Sequence, residues 1–503
     1  MGTFWGDDLL DSTQGLDILG IRGLDQSIEM RLVNGITTIS QRARYLSILT
    51  WSIGEFLTQN AHKGYNEADL EIFLRRVEFI ILAATKVDHD INGGDFTGAL
   101  GSTLYSDEIR QLASGATVPV PSERGGAILG TYFVPCKSMG LLMYGDHSVP
   151  YKLTPRGKAI FDLRSGRLGQ SPFLQILHNG GNLTRDLAEA AIPEFSLSSL
   201  VNSEEEARLL REALTVSWEP NILSLQTKVN EAYRAFNGTI DWAKERLREA
   251  PNSAPGIIVD NFKRCVLGKI EDPVALDWAE YEYRRRCHLG LELLLSSLTR
   301  GLQNHDAATA DQVIGEWAGE NNLSPFMEKA WPSAGDAWES SAAQARESVQ
   351  EDLFLGEELP ARDLRKLAAA DQALAAVAIL SATAKQTQDL RGQGWLSSIP
   401  GSAGEQGIKV IEEAGEHPFG ELLRGLLDIA SSSHLQNTLR KMGAGQKCSL
   451  RFFPEGPFLR PTGIGMTPGY SGDRLTNVLR MLADIGALQH TDQGYVLIHG
   501  GAG

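Results

Sequence analysis

The sequence predicts a mostly α-helical, multidomain protein with small β-hairpins, in which two winged-helix-like modules are joined by a helical middle. Three observations carry that prediction. Apolar residues recur at three- and four-residue intervals through most of the chain, the period of a helix with one buried face. Two segments, one over residues 125–160 and one at the C-terminus, run from helical periodicity into a short hairpin pattern with a polar turn. The 503 residues and 42% apolar content supply enough chain and enough core for about three domains.

The elements follow in order. Thr37, Thr38 and Ser40 stand where a helix would be capped, and that helix continues through Tyr45, Leu46, Leu49, Ile53 and Leu57 with Arg42 and Arg44 in its first turns. Asn66 precedes a second helix whose Leu70, Phe73, Leu74, Val77, Ile80, Ile81 and Ala84 share a face. The stretch NGGDFTGALGS ends it, and SDEIRQLA starts a shorter helix near Ser106, with acids in the first turn where the helix dipole favours them. Next, GGAILGTYFVPCKSMGLLMYGDHSVPYKLTPRGKAI reads as helix, hairpin tipped by Asp146 and His147, and helix, the first winged-helix-like module.

Residues 203–390 read as helical nearly throughout. Ser203 and Glu206 give the S-x-x-E pattern of a capping box. A segment from Trp278 to Leu302 carries Leu291, Leu294, Leu295 and Leu298, and an alanine-rich stretch runs from Leu364 to Ala384. Turn-rich breaks fall at Pro251 to Gly256, Pro332 to Gly335 and Gly392 to Gly404, the last being the expected linker. Helices over Phe419 to Ile429 and Ser433 to Met442 follow, then an extended stretch. A third helix, capped by Ser471 and Asp473, presents Leu475, Val478, Leu479 and Leu482 on one face, and two strands flank a D-Q-G turn over 488–498. The domains expected are 1–170, 171–390 and 415–503, with a linker over 391–414.

The net charge of −16 excludes a protein that coats nucleic acid with its whole surface, so any such contact is local. Two basic patches stand out. Between Tyr151 and Gly169, five basic residues (Lys152, Arg156, Lys158, Arg164, Arg167) meet one acid, Asp162; between His434 and Leu482, seven Lys and Arg meet two acids. The DNA-contact candidates are Arg474 and Arg480 on the third C-terminal helix, Lys447 and Arg451 in the basic loop before it, and Lys152, Arg156 and Lys158 in the first module. The same modules serve equally well as protein-docking surfaces. Four scattered cysteines fit a reducing cytoplasm. The acidic MGTFWGDDLLDS is unlike a signal peptide, and no apolar run approaches the roughly 20 residues of a membrane span. A soluble, cytoplasmic protein with no membrane partner is expected.

Local catalytic signatures are missing from the sequence. It contains no G-x-x-x-x-G-K-S/T, no G-x-S-x-G, no H-E-x-x-H and no C-x-x-C, and no lysine follows an acid by two positions as in restriction-type nucleases. None of the ten histidines is followed two places later by Lys, His or Glu. Gly94, Gly98 and Gly101 lack the lysine that would close a phosphate loop. Glu282 and Arg284 in YEYRRR diverge on a helix, and Cys287 beside His288 reads as a core cysteine next to a partly exposed histidine. No catalytic or metal-binding residue is nominated, and no cofactor is expected. Arg42 and Arg44 diverge by about 200° on a helix, so each reaches a different carboxylate, while the Tyr45 ring packs inward; these three are assembly candidates.

The stretch LGIRGLDQSIEMRLVNGITTISQRARYLSILTW, with Thr37, Thr38, Arg42, Arg44 and Tyr45, resembles the opening of a group of uncharacterised bacterial proteins. Their pattern is glycine or proline-glycine, T-T or S-T, then S/T-x-R-A-R-Y and an apolar-aromatic helix. WAEYEYRRRCHLGLELLL is similar to a later segment of the same group. Members tend to be encoded near DNA-processing and phage-defence genes, so the resemblance implies a subunit of a multi-protein system. The expected function is a non-catalytic DNA-associated or scaffolding subunit of an anti-phage defence or DNA-maintenance assembly. Its expected partners are other subunits, an ATPase or nuclease among them, and double-stranded DNA, with a homo-oligomer left open. The alternatives are a cryptic nuclease or nucleotide-processing enzyme with dispersed ligands, and a stand-alone transcriptional regulator.

Overall fold

A computed structural model describes residues 17–62, 65–146, 149–169, 171–220, 223–268, 272–320, 323–396, 402–470 and 472–498. Helices dominate. Among the described residues the strands form four small antiparallel pairs: Val118–Pro119 with Asn182–Leu183, Leu142–Tyr144 with Tyr151–Leu153, Phe452–Glu455 with Phe458–Pro461, and Leu488–Thr491 with Gly494–Leu497. This is the mostly α class with small hairpins that the apolar period predicted. No helix among the described residues is long and apolar enough to cross a membrane.

The chain forms two compact units, one holding the residues up to Glu29 with Ile258–Gly472, the other Met30–Ile257 with the residues from Asp473 on. This division differs from the expected boundaries. One boundary falls inside helix Ala254–Val266 rather than at 170 or 390, and the expected 415–503 module is shared out at Gly472. The expected linker over 391–414 is also corrected. Residues 397–401 lie outside the described residues, but Ala403–Glu412 is a helix, started by the Ser402 side chain accepting the Glu405 N–H, with Ala403, Gly407, Ile408 and Ile411 buried. That stripe outweighs the turn-rich composition before it.

At the centre of the first unit lies helix Pro273–Leu302, opened by Asp272, whose side chain accepts from Val274 N, and by proline at the first turn. It is buried on nearly every side against helices Ala369–Gly392, Ala403–Glu412 and Phe419–Gly443. Alanines on Ala369–Gly392 and a glycine on its neighbour permit the close approach: a Cβ at Gly290 would lie 2.9 Å from Leu380 Cγ. Phe419–Gly443 is one continuous helix where the sequence suggested two. The serines at 431–433 do not break it, because Ala430 and His434 on either side are buried in the core. Two hydrogen bonds hold His434: its Nδ1 lies 3.3 Å from Ile18 O, and its Nε2 accepts Arg451 N–H at 3.1 Å. Burial pushes its pKa down to about 4, so the ring is neutral.

In the second unit, helix Arg44–Gln59 packs on Ala127–Ser138, Pro155–Leu168 and the Tyr151–Leu153 strand, and helix Glu67–Asn92 on Arg185–Ala190 and Ile192–Phe195. Asn66 caps the second of these, its side chain accepting Ala68 N–H. The helix–hairpin–helix order over 127–168 is present; Asp146 ends the described part of its tip, and His147 lies outside the described residues. A Cβ at Gly157 would sit 1.9 Å from Leu141 O, so only glycine lets the last helix start this close to the strand. Near the end of the chain, Asp473 accepts the Thr476 N–H at 2.7 Å and starts helix Leu475–Asp484, while Ser471, the other expected cap, lies outside the described residues. The final hairpin turns at Gly494, φ +112°.

Candidate functional site

In the segment from Thr37 to Tyr45, Thr38 and Ile39 are exposed while Ser40 and Arg42 to Tyr45 are buried in the second unit. Thr37 and Ser40 cap one another in a turn, Thr37 N–H donating to Ser40 Oγ at 2.8 Å and Ser40 N–H to Thr37 Oγ1 at 3.2 Å, rather than capping the helix. The cap comes from Asp484. Its Oδ2 accepts Ala43 N–H at 2.9 Å, and Arg42 Nε reaches both its oxygens at 3.1 and 3.0 Å. Arg42 Nη1 also donates to Asp95 O and Thr97 O, each at 2.9 Å, so the glycine-rich stretch after Asn92 is a carbonyl seat for a buried guanidinium.

Arg44 points elsewhere. Its Nη2 donates to Glu206 Oε2 at 3.2 Å and its Nη1 to Ser196 O at 2.6 Å. The two arginines thus meet different carboxylates, Arg42 from the segment that precedes the helix and Arg44 from the helix's first residue, so the expectation that both lie on the helix is corrected. Tyr45 packs its ring against Tyr132 at 4.7 Å, and its hydroxyl oxygen accepts Leu100 N–H at 2.8 Å.

Glu206 is the hub. It accepts from Arg164 Nη1 at 2.7 Å and Ser47 Oγ at 2.5 Å as well as from Arg44, with Arg167 Nη1 at 3.6 Å. The side chains of Glu206, Arg44 and Arg164 are all 0% exposed. Burial would raise the Glu206 pKa, but Arg164 and Arg44 override it and bring it down to about 2. The Ser203–Glu206 capping box therefore does not form: the glutamate turns to the arginines, and Ser203 Oγ accepts Arg167 Nη1 at 2.6 Å.

Beside this hub opens a cleft of 930 Å³ whose charged lining is Arg167, Arg208 and Arg211 with Glu194, Glu204 and Glu205. Arg208 Nη2 donates to Glu205 at 2.8 Å, and Arg211 Nη2 to Ile485 O at 2.9 Å. Three guanidiniums and three carboxylates give a wall of mixed sign. Such a wall complements a segment bearing both charges better than it does a row of phosphates. No family model matches the chain, and neither does any curated protein or solved structure. Among the described residues, no group of three or more His, Cys, Asp or Glu is placed to hold a metal ion.

The DNA-contact candidates fall in both units. In the second, Arg474 Nη1 donates to Ile36 O at 3.2 Å and Arg480 Nη1 to Gln41 Oε1 at 3.1 Å, tying their helix to the turn before Arg44. Lys152 pairs with Asp146 and Lys158 with Asp162, each at 2.8 Å, while Arg156 donates to Met139 O at 3.1 Å. Lys447 and Arg451 belong to the first unit, Lys447 exposed and Arg451 buried.

Two further readings are settled in the first unit. Glu282 and Arg284 do part company: Arg284 binds Glu280 at 2.9 Å and Arg286 binds Glu282 at 2.8 Å, both pairs inside the core. His288, expected to be partly exposed, is 2% exposed and lies 3.1 Å from both Asp25 and Glu292. Burial would lower its pKa, yet hydrogen bonds to Asp25 and Glu292 raise it to about 9, making it an imidazolium. Sequence reasoning missed Glu206, Asp484, Asp25 and Glu292. A buried arginine announces that some carboxylate faces it, but not which of the chain's 63 acids does so.

Proposed function

We propose that the chain is a non-catalytic scaffolding subunit of a multi-protein assembly, and that it docks a mixed-charge segment of a partner protein in the 930 Å³ cleft of its second unit. The observation that carries this reading is the matched set of three arginines and three glutamates on the cleft wall. Paired charges of both signs select a partner by complementarity and steer its approach, while offering little net attraction to polyanions. The fixed floor supports it too, because the Glu206 hub locks Arg44, Arg164 and Arg167 before a partner arrives.

The resemblance to proteins encoded near phage-defence and DNA-processing genes supports an anti-phage or DNA-maintenance assembly, with an ATPase or nuclease as the partner. Duplex contact, in this reading, belongs to the winged-helix-like order of elements over 127–168, where the Lys152 and Lys158 side chains are 46% and 64% exposed. Each sits beside a carboxylate, so this contact is weak and salt-sensitive.

The test is co-purification of the full chain with the products of neighbouring genes. Glu204→Lys with Arg211→Glu should abolish recovery of the partner and leave the melting temperature within a few degrees. Duplex binding should fall with Lys152→Glu and Lys158→Glu, and persist with Arg474→Glu and Arg480→Glu. Full partner recovery by the cleft variant would overturn the docking reading.

A further inference from the structure

A second cavity in the same unit, 660 Å³ in volume, lies among helices Arg44–Gln59, Glu67–Asn92 and Pro172–Asn179. Its chemistry differs from that of the charged cleft. Four carboxamides line it, Gln59 and Asn60 from the first helix end and Gln175 and Asn179 from the third. Each offers one acceptor and two donors without net charge. Asn179 Nδ2 already donates to Gln175 Oε1 at 2.9 Å, which sets the two amides edge to edge.

An aromatic stack lines the same cavity. The rings of Phe73 and His178 lie 4.9 Å apart at 28°. Phe73 is 2% exposed, whereas the His178 side chain is 24% exposed, so the imidazole is the outer ring offered to the cavity. Its position is held from two sides. Glu55 Oε1, on a side chain only 8% exposed, lies 3.2 Å from His178 Nε2 and also accepts Gln59 Nε2 at 3.2 Å. Arg76 Nη1 donates to Leu177 O at 3.0 Å and His178 O at 2.7 Å, fixing the helix end that carries the ring.

This arrangement specifies a ligand class. Carboxamides recognise flat edges that carry a donor beside an acceptor, as Asn and Gln do with the edge of adenine, and an outward-facing ring supplies a stacking surface. The lining holds one guanidinium, Arg76, which keeps its charge while Nη1 donates to backbone carbonyls, and one carboxylate, Asp69; the two charges balance, so the cavity suits an uncharged ligand with sugar hydroxyls better than a phosphate. The volume lies in the usual range for small-molecule sites, roughly 300–1,000 Å³. We infer that this cavity binds a neutral nucleoside, its base stacked on His178 and read by Gln59, Asn60, Gln175 and Asn179. The inference does not depend on the docking reading of the other cleft.

The experiment is calorimetric titration of the full chain with adenosine, guanosine, cytidine and uridine, and with ribose and adenosine monophosphate as controls. At least one nucleoside should bind saturably, ribose alone should not, and the monophosphate should bind more weakly than its nucleoside. Gln59→Leu and Gln175→Leu change exposed side chains and should each weaken binding about fivefold, the worth of one neutral hydrogen bond. His178→Phe keeps a flat ring and should weaken it less than His178→Ala. Arg211→Glu, in the other cleft, should leave it unchanged. The inference is overturned if no nucleoside binds, if the amide variants bind as tightly as the parent while melting at the same temperature, or if ribose or the monophosphate binds as well as the nucleoside.

Discussion

The two units solve the problem of buried charge in opposite ways. In the second, one carboxylate, Glu206, serves three guanidiniums; in the first, one imidazole, His288, lies between two carboxylates, Asp25 and Glu292. A guanidinium cannot give up its proton, so an excess of arginine must be met by fixed acceptors, and Arg164 Nη2 accordingly takes Glu194 O at 2.6 Å while Arg44 takes Ser196 O. An imidazole adjusts its own charge. The lesson is that the cation-rich hub is permanent across ordinary pH, while in the clamp, where Arg22 Nη2 also pairs with Glu292 at 3.3 Å, the share that His288 contributes depends on a proton that can leave.

Removing the single shared anion should have the largest effect. Glu206→Gln leaves two fully buried guanidiniums, Arg44 and Arg164, without their shared carboxylate, with the part-exposed Arg167 beside them, and should cost about 3–5 kcal/mol, read as a large fall in the melting temperature. A change under about 1 kcal/mol would show the hub to be no tighter than a surface pair.

The clamp should fail in alkali. The folded pKa of His288 is raised above its unfolded value of 6.5, so its contribution is complete below 6.5 and is lost as pH rises through about 9. That shift corresponds to about 3 kcal/mol at most. Denaturant melts taken between about pH 7 and pH 10 should show the loss in the wild type and not in His288→Gln. Glu206, whose pKa is depressed, behaves in the reverse sense: its contribution is present above 4.5 and is lost only as pH falls through about 2.

Arg44→Ala should cost less than the loss of Glu206, about 2 kcal/mol, because Arg164 and Ser47 still hold the carboxylate. Equal losses in the two variants would mean that the hub acts through Arg44 alone. Smallest should be Lys158→Ala, which removes an exposed pair with Asp162 and a contact 5.8 Å from the Phe161 ring centre, and should change stability by less than about 0.5 kcal/mol. A larger change would give that surface lysine a structural role that its contacts do not explain.

What the sequence revealed was local. The start of Glu67–Asn92 at Asn66, the start of Leu475–Asp484 at Asp473 and the hairpin over 488–497 were all legible, because each rests on a side chain reaching a backbone group within three residues or on a glycine turn. Readings failed where distant partners took over. Glu206 has the spacing of a capping residue, but two buried arginines claim its carboxylate. The serines at 431–433 look like a break, yet buried neighbours on both sides hold the helix through them. Of the sites, Arg42, Arg44 and Tyr45 were singled out on the premise of one helix, but Arg42 precedes the helix that begins at Arg44. The amide-lined cavity left no trace, since Gln59 and Gln175 are ordinary exposed residues on separate helices.

The pairing of Asp484 with Ala43 has a consequence in time. The two residues are 441 positions apart. At synthesis rates of about 5–20 residues per second, the helix that opens at Arg44 leaves the ribosome on the order of 20–90 s before the residue that caps it. For that interval the buried end of Arg42 lacks its main counter-ion, and the seam that Leu475–Asp484 later closes stands open. All of Ile258–Gly472 is translated meanwhile. A chain truncated before Asp473 should therefore yield a protease-resistant first unit and a nicked second one.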